Sequence, residues 1–147
     1  MKNEVVVKDI WACDFETTTD SEDCRVWAWG ASLVSDSKVK YWGNDISQFV
    51  AWMTQKTRKL YFHNLSFDGE FIVSWLLSNG YVYTEKPKVK GFKTIISNTG
   101  LWYSIEIWWS YSKKEKQFIK STIWDSFKLI PFSIKQIAHD FNLPIKK

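Results

Sequence analysis

Apolar and polar residues alternate with a period of two over several stretches of this 147-residue chain, and this alternation predicts β-strands. Three such stretches come first, at residues 9–16, 24–34 and 39–43, and the turn-forming residues between them favour a meander. Three more follow at residues 92–97, 101–109 and 117–124, joined by a hairpin signal ending at Gly100 and by a charged tip. Strands are therefore predicted on both sides of the middle of the chain.

The middle of the chain shows the helical spacing of apolar residues. Asp45, with Gln48 three positions on, matches a capping box and predicts the start of a helix. A short strand at residues 59–64 precedes a second helix, which begins near Ser66 and stops at Gly80. The buried stripe of this second helix is predicted to consist of Phe67, Phe71, Ile72, Trp75 and Leu76.

Strands with helices between them indicate an α/β fold, in which helices flank a mixed sheet. A last helix is predicted from about Ser133. The length suits one domain covering residues 1–147, and a hydrophobic content of 45% with 18% aromatic residues excludes a disordered chain. Two cysteines are too few for a disulfide framework, and they indicate free thiols in a reducing cytoplasm. No stretch resembles a signal peptide or a membrane span, so we expect no membrane partner.

Two acidic residues at the end of the first predicted strand are the first candidate for chemistry. Asp14 and Glu16 lie two positions apart, so on a strand their side chains share one face. Carboxylates held this close either share a proton or bind a cation, and Mg²⁺ or Mn²⁺ prefers such oxygen ligands. The alternative is a solvated strand edge followed by a threonine-rich turn, because a D-x-E triplet alone is a weak signal.

A second polar cluster, "YFHNLSFDGEF", covers residues 61–71, where a strand is predicted to end and a helix to begin. Asp68 falls in the first helical turn, where the helix dipole alone favours a carboxylate. The functional interpretation is that Asp68 projects toward Asp14 and Glu16, with Tyr61 and His63 beside a substrate groove. A buried, hydrogen-bonded histidine remains an alternative for His63, and core packing remains one for the phenylalanines.

Four segments, taken together, resemble one protein family: "CDFETTT", "CRVWAWG", "LYFHNLSFDGEF" and "WDSFKLIPFSIKQIAHDF". In order and spacing they are similar to the N-terminal 3′–5′ exonuclease domain of protein-primed family B DNA polymerases, of the type found in phi29-like phages. The resemblance runs along nearly the whole chain. It implies an RNase H-like (DnaQ-type exonuclease) fold and a proofreading function by two-metal catalysis.

The resemblance also implies roles for individual residues. Asp14, Glu16 and Asp68 would be catalytic metal ligands for Mg²⁺ or Mn²⁺. The residues that would hold a single-stranded DNA 3′ end or shape its groove are Thr17, Tyr61, His63, Asn64, Phe67, Phe71, Ser126, Phe127 and Lys147. Further implied partners are the terminal (primer) protein and the remainder of the polymerase. The implied location is the cytoplasm of a host cell that carries the phage or a linear plasmid.

The third exonuclease motif of the family, Tyr-x-x-x-Asp, has no match in these 147 residues, because neither Asp125 nor Asp140 follows a tyrosine at the required spacing. In the family this motif supplies a fourth metal carboxylate and a tyrosine that orients the attacking water. Three interpretations stay open: a polymerase fragment truncated before the third motif, a non-catalytic module that binds single-stranded DNA or a replication protein, and a nuclease completed by another chain.

With one ligand missing, we expect the isolated chain to cleave weakly. Robust manganese-dependent trimming of a 3′ single strand, abolished by Asp14→Ala, would contradict that expectation.

Overall fold

The computed structural model describes residues 9–18, 20 and 22–126, which form eight strands and two α-helices. In chain order the elements are β1 (Ile10–Thr17), β2 (Val26–Leu33), β3 (Lys40–Gly43), α1 (Ile46–Met53), β4 (Lys59–Phe62), α2 (Leu65–Ser78), β5 (Val82–Tyr83), β6 (Gly91–Ile96), β7 (Trp102–Ser112) and β8 (Gln117–Asp125). The mixed α/β architecture predicted from the alternating pattern is confirmed. The two-residue strand β5 was not predicted, and the helix predicted from Ser133 lies outside the described residues.

All eight strands belong to one sheet, in the order β3-β2-β1-β4-β8-β7-β6-β5. The pairs β1–β2 and β2–β3 are antiparallel, which confirms the predicted meander. In contrast, β1 pairs with β4 in parallel, and β4 pairs with β8 in parallel. Three neighbouring strands therefore end at the same edge of the sheet, and this edge carries the polar residues considered below.

The period of two along β1 separates a covered face from an open one. Trp11, Cys13 and Phe15 are buried on one face of β1. The alternate residues Asp14 and Glu16 are exposed on the other face. Both described helices pack on the covered face, and their apolar residues join those of the strands in one core. The fully buried members of this core include Phe49, Met53, Leu60, Phe62, Leu65, Ile72, Leu76, Ile105, Ile107 and Ile123. The open face of β1 is thus left for polar side chains.

The two helices start in different ways. The Asp45 side chain accepts a hydrogen bond of 3.0 Å from the Gln48 N–H and caps α1, as predicted. The Gln48 side chain accepts from the Asn44 N–H at 2.6 Å, so the reciprocal bond of the capping box is shifted by one residue. Helix α2 starts after Asn64, which has a left-handed backbone (φ 69°) and whose side chain makes no capping hydrogen bond. The start of α2 therefore needs support from elsewhere in the fold.

The predicted buried stripe of α2 is partly wrong. Ile72 and Leu76 are fully buried, and Phe71 and Trp75 pack partly against the core. Phe67, however, is 53% exposed. It lies in the first turn of the helix, beside the edge of the sheet where the parallel strands end, so helical spacing alone could not bury it. Within the described residues, no helix is long and apolar enough to cross a membrane.

A buried arginine stabilises the opposite edge, where the parallel strands begin. The Arg58 guanidinium lies between two indole rings, 5.3 Å from the centre of Trp11 and 4.2 Å from that of Trp52. Its Nη1 atom is 3.5 Å from Oδ1 of Asp9, and its Nε atom donates to the Trp52 carbonyl at 3.1 Å. Burial lowers the pKa of Arg58, and the Asp9 charge opposes that shift.

Candidate functional site

The first two acidic residues occupy the end of β1. Asp14 pairs with Gly30 and Glu16 with Ala28 on the antiparallel neighbour β2. The register shifts between Glu16 and Thr17, so that Thr17 pairs with Val26 and an extra residue of β2 is accommodated. Such a bulge bends the strand locally, and bulges are frequent next to functional sites. Both carboxylates are exposed on the open face, as their spacing predicted.

Asp68 lies in the first turn of α2 and is only 5% exposed. Burial, and to a smaller extent the charges of Asp14 and Glu16, raise the pKa of its carboxyl group to about 7. Asp14 and Glu16 on β1 therefore interact electrostatically with Asp68 on α2, although some fifty positions of the chain separate them. The structure brings the three acidic residues to one region of the molecule.

The donor set fits a divalent cation in its chemistry. Three carboxylates are hard oxygen ligands, and a cation would offset both the burial and the repulsion that raise the pKa of Asp68. In the conformation described, however, residues 9–18, 20 and 22–126 contain no group of three His, Cys, Asp or Glu side chains that could already hold a metal ion. The assignment of Asp14, Glu16 and Asp68 as metal ligands stays a prediction.

The connection from β4 to α2 is tied to the end of β8. Phe62 pairs with Asp125 in the parallel ladder, so the two residues lie side by side. The Asn64 N–H donates a hydrogen bond of 3.1 Å to Oδ1 of Asp125. His63 Nδ1 lies 3.3 Å from the hydroxyl oxygen of Ser126. The His63–Asn64 pair and the Asp125–Ser126 pair therefore meet at the carboxyl edge of the sheet, and the DNA contacts assigned to His63, Asn64 and Ser126 stay a prediction.

The remaining predicted DNA contacts are distributed around the same edge. Tyr61 is half-buried on β4, where it pairs with Ala12 of β1 and Trp124 of β8. The exposed Phe67 ring meets the half-buried Phe71 ring edge-on, with 5.7 Å between their centroids. Phe67 is therefore available to a ligand, whereas Phe71 also supports the helix. Phe127 and Lys147 lie outside the described residues.

An open cleft of about 670 Å³ runs from Asp14 and His63 across β2 to the outer strand β3. Its floor includes the small residues Gly30 and Ser32, and Trp42 on β3 is 78% exposed beside it. The sequence analysis did not connect β3 with the acidic residues. The signal was present, because β3 follows β2 in a meander and its alternate residues must face the side that carries Asp14.

Comparison with known proteins decides the family. The family model for DNA polymerase type B, organellar and viral, matches residues 51–147. The chain belongs to this family. It is 44% identical to the DNA polymerase of Bacillus phage phi29 over 140 residues, which cover 95% of this chain and 24% of that polymerase. It is 30% identical to the DNA polymerase of Streptococcus phage Cp-1 over 151 residues, which cover 93% of this chain and 24% of that protein.

Solved structures agree with the sequence relatives. The chain superposes on phi29 DNA polymerase complexed with single-stranded DNA with a TM-score of 0.90 and 42% identity, covering 96% of this chain and 25% of that one. The phi29 polymerase complexed with primer-template DNA gives the same values. The resemblance to the N-terminal domain of phi29-type polymerases and the α/β fold it implied are therefore confirmed. The chain spans about a quarter of the length of these relatives.

Proposed function

We propose that this chain is the 3′–5′ exonuclease (proofreading) portion of a protein-primed DNA polymerase, which binds single-stranded DNA 3′ ends and takes part in their hydrolysis. The observation that carries the proposal is the placement of the buried carboxyl group of Asp68, on α2, near the charges of Asp14 and Glu16 on β1, which together with burial raise its pKa. A fold without a use for this cluster gains nothing from bringing two charged side chains near a buried carboxyl group. The family membership and the phi29 complexes with DNA support the same function.

The chemistry assigned to the carboxylates is metal binding. Asp14, Glu16 and Asp68 would hold Mg²⁺ or Mn²⁺, which would supply polarisation of a phosphate and a lowered pKa for an attacking water. Asp14 and Glu16 present oxygen atoms from a strand, which is a rigid element, and Asp68 presents its own from the first turn of α2. Because Asp68 must lose its proton to bind a cation, its raised pKa makes metal affinity depend on pH near neutrality.

The groups around the acidic residues suit an unpaired DNA end. The exposed ring of Phe67 offers a flat apolar surface, and stacking of one base on such a ring contributes about 1–3 kcal/mol. Tyr61, His63 and Thr17 add hydrogen-bonding groups at the same edge of the sheet. Stacking does not depend on base identity, so the site would select frayed 3′ ends without reading their sequence. The terminal protein and the remainder of the polymerase are the further proposed partners.

Manganese binding is the direct test of the proposed acidic site. Calorimetric titration of this chain with Mn²⁺ at pH 8 is expected to show binding that Asp14→Ala and Asp68→Asn remove. At pH 6, where a carboxyl group with a pKa near 7 is mostly protonated, the affinity is expected to be about tenfold lower. Glu70→Gln, an exposed neighbour of Asp68 on α2, is the matched control and should bind as the unchanged chain does.

DNA binding separates the proposal from its alternative. Fluorescence anisotropy with a single-stranded oligonucleotide should show binding that weakens when the 3′ end is blocked by a hairpin. Any cleavage that the chain supports should require Mn²⁺ and begin at the 3′ end. Binding of DNA without any Mn²⁺ binding would instead favour a non-catalytic single-stranded DNA module on the same fold. Absence of both would refute the proposed function.

A further inference from the structure

Asp125 is buried, with 6% of its surface exposed, at the last position of β8. Along that strand the residues two and four positions earlier, Ile123 and Ser121, are fully buried. Asp125 therefore takes a core-facing position of the alternating pattern, next to Phe62 on β4. A carboxylate in such a position costs free energy unless it has a specific partner.

The structure shows one such partner. Oδ1 of Asp125 accepts the hydrogen bond from the Asn64 N–H at 3.1 Å. Asn64 has the left-handed backbone (φ 69°) through which β4 turns into α2, and its own side chain does not cap the helix. Its side-chain oxygen instead accepts from the Ser66 hydroxyl at 3.0 Å. The Asp125 carboxylate on β8 thus holds Asn64, the residue at which the chain turns from β4 into α2.

We propose that Asp125 is a positioning residue for the proposed exonuclease site. It holds Asn64 in its left-handed conformation and thereby orients the first turn of α2, which carries Phe67 and Asp68. The adjacent Ser126, 3.3 Å from His63, adds a second tie between the same two segments. This role differs from that of a metal ligand, because the Asp125 carboxylate lies on the covered face of the sheet beside Phe62, whereas Asp14 and Glu16 lie on the open face.

The inference rests on the proposed function, but its first test does not require DNA. Amide hydrogen exchange is measured for residues 64–68 at the start of α2 and for residues 46–48 at the start of α1. Asp125→Ala removes the acceptor and is expected to speed exchange at the start of α2 by about tenfold or more, because the Asn64 N–H loses the hydrogen bond that protects it. The start of α1, whose cap is Asp45, should keep its protection.

Asp45→Ala is the matched control for DNA binding. Both aspartates accept a backbone N–H at the beginning of a helix, but Asp45 belongs to α1 and lies outside the proposed site. We expect Asp45→Ala to lower stability and leave the affinity for a single-stranded oligonucleotide unchanged. Asp125→Ala should weaken that affinity about tenfold under conditions in which the variant is folded. The positioning role would be overturned if Asp125→Ala changed exchange at the start of α2 no more than at the start of α1 and left the DNA affinity unchanged.

Asp125→Asn keeps the test decisive if Asp125→Ala does not fold. The asparagine carbonyl still accepts from the Asn64 N–H, so DNA affinity should stay within about threefold of that of the unchanged chain. The neutral carbonyl is a weaker acceptor, so the Asn64 amide proton resonance should move upfield while that of Gln48 stays in place. An unmoved Asn64 resonance would refute the hydrogen bond. If the unchanged chain fails to bind DNA, the proposed function fails, and the exchange and resonance data still decide the role of Asp125 at the junction.

Discussion

At the scale of single residues, Asp68 combines burial with repulsion. Its folded-state pKa, about 7, lies above the ordinary value of 3.8, so the folded chain binds an extra proton between these two values. The contribution of Asp68 to stability therefore falls as pH rises from about 4 to about 7, and it levels off at higher pH, where the carboxyl group is ionised in both the folded and the unfolded state. The metal-free protein is thus destabilised at neutral pH by the residue that it needs for the proposed chemistry.

Asp68→Asn is expected to stabilise the metal-free chain above pH 7. The gain should be on the order of 2–4 kcal/mol at pH 8, since each unit of pKa corresponds to about 1.4 kcal/mol. It should vanish near pH 4, where Asp68 is protonated in the folded state. Urea unfolding at pH 4 and pH 8 measures both values, and Glu70→Gln serves as the exposed control. Equal effects of Asp68→Asn at the two pH values would show that the Asp68 pKa is not raised.

The exposed Phe67 and the buried Ile72 lie on the same helix but should respond differently to truncation. Phe67→Ala is expected to change the free energy of unfolding by less than about 0.5 kcal/mol and to weaken single-stranded DNA binding by about 1–3 kcal/mol. Ile72→Ala should cost about 2–5 kcal/mol of stability through the cavity it leaves. Chemical unfolding and fluorescence anisotropy of both variants test this. Loss of stability in Phe67→Ala would place its ring in the core.

At the scale of elements, α2 depends on a close approach to β7. A methyl group on Gly69 would lie 2.8 Å from the Trp102 ring, so glycine allows the indole to pack directly against the helix. Gly69 directly follows Asp68, and the packing of this turn therefore also sets the position of the acidic side chain. A helix that moves away from β7 moves Asp68 with it.

Gly69→Ala should destabilise the chain by about 1–3 kcal/mol through overpacking and should weaken Mn²⁺ binding. Gly30→Ala on β2 is the control for stability alone, because nothing lies within 4 Å of the methyl group it would add. Thermal unfolding compares the stabilities of the two variants, and calorimetry measures Mn²⁺ binding by Gly69→Ala against the unchanged chain. Trp102→Leu, combined with Gly69→Ala, should recover part of the loss, and strictly additive effects in this double-mutant cycle would contradict the contact.

The sequence predicted the start of α1 and the two faces of β1 well because the signals for both are local. The capping aspartate Asp45 and the alternation along β1 both act within a few residues, and both were confirmed. The burial predicted for Phe67 was wrong because helical spacing identifies the apolar face of α2 but not which of its residues lie beyond the edge of the sheet. The tie between Asp125 and Asn64 joins residues 61 positions apart, so no local pattern could reveal it. An acidic residue at a core-facing position of a strand was the available clue.

At the scale of the whole molecule, β8 joins two parts of the sheet. It lies between β4, which leads to β1, β2 and β3, and β7, which leads to β6 and β5. Ile123 of β8 pairs with Leu60 on one side and with Ile105 on the other, and all three are fully buried. The two parts therefore share one core and are expected to unfold together.

Ile123→Ala should lower the free energy of unfolding by about 2–5 kcal/mol while keeping a single transition. Far-ultraviolet circular dichroism and tryptophan fluorescence should give coincident curves. Ile95→Ala, on the half-exposed face of β6, is the control and should cost far less. Two separated transitions in the Ile123→Ala variant would mean that the parts on either side of β8 fold independently.

The lengths of the outermost strands have a consequence for self-association. An open sheet exposes unpaired peptide groups along its two borders, and a second molecule can extend the ladder there to begin a fibril. Among residues 9–126 as the structure describes them, the terminal strands are β3, with four residues, and β5, with two. Lys40 in β3 adds a charge to one border, and Pro87, which lacks a peptide N–H, follows shortly after the other. Such short and interrupted borders are poor templates for intermolecular β-addition, which limits edge-to-edge self-association of this highly aromatic chain.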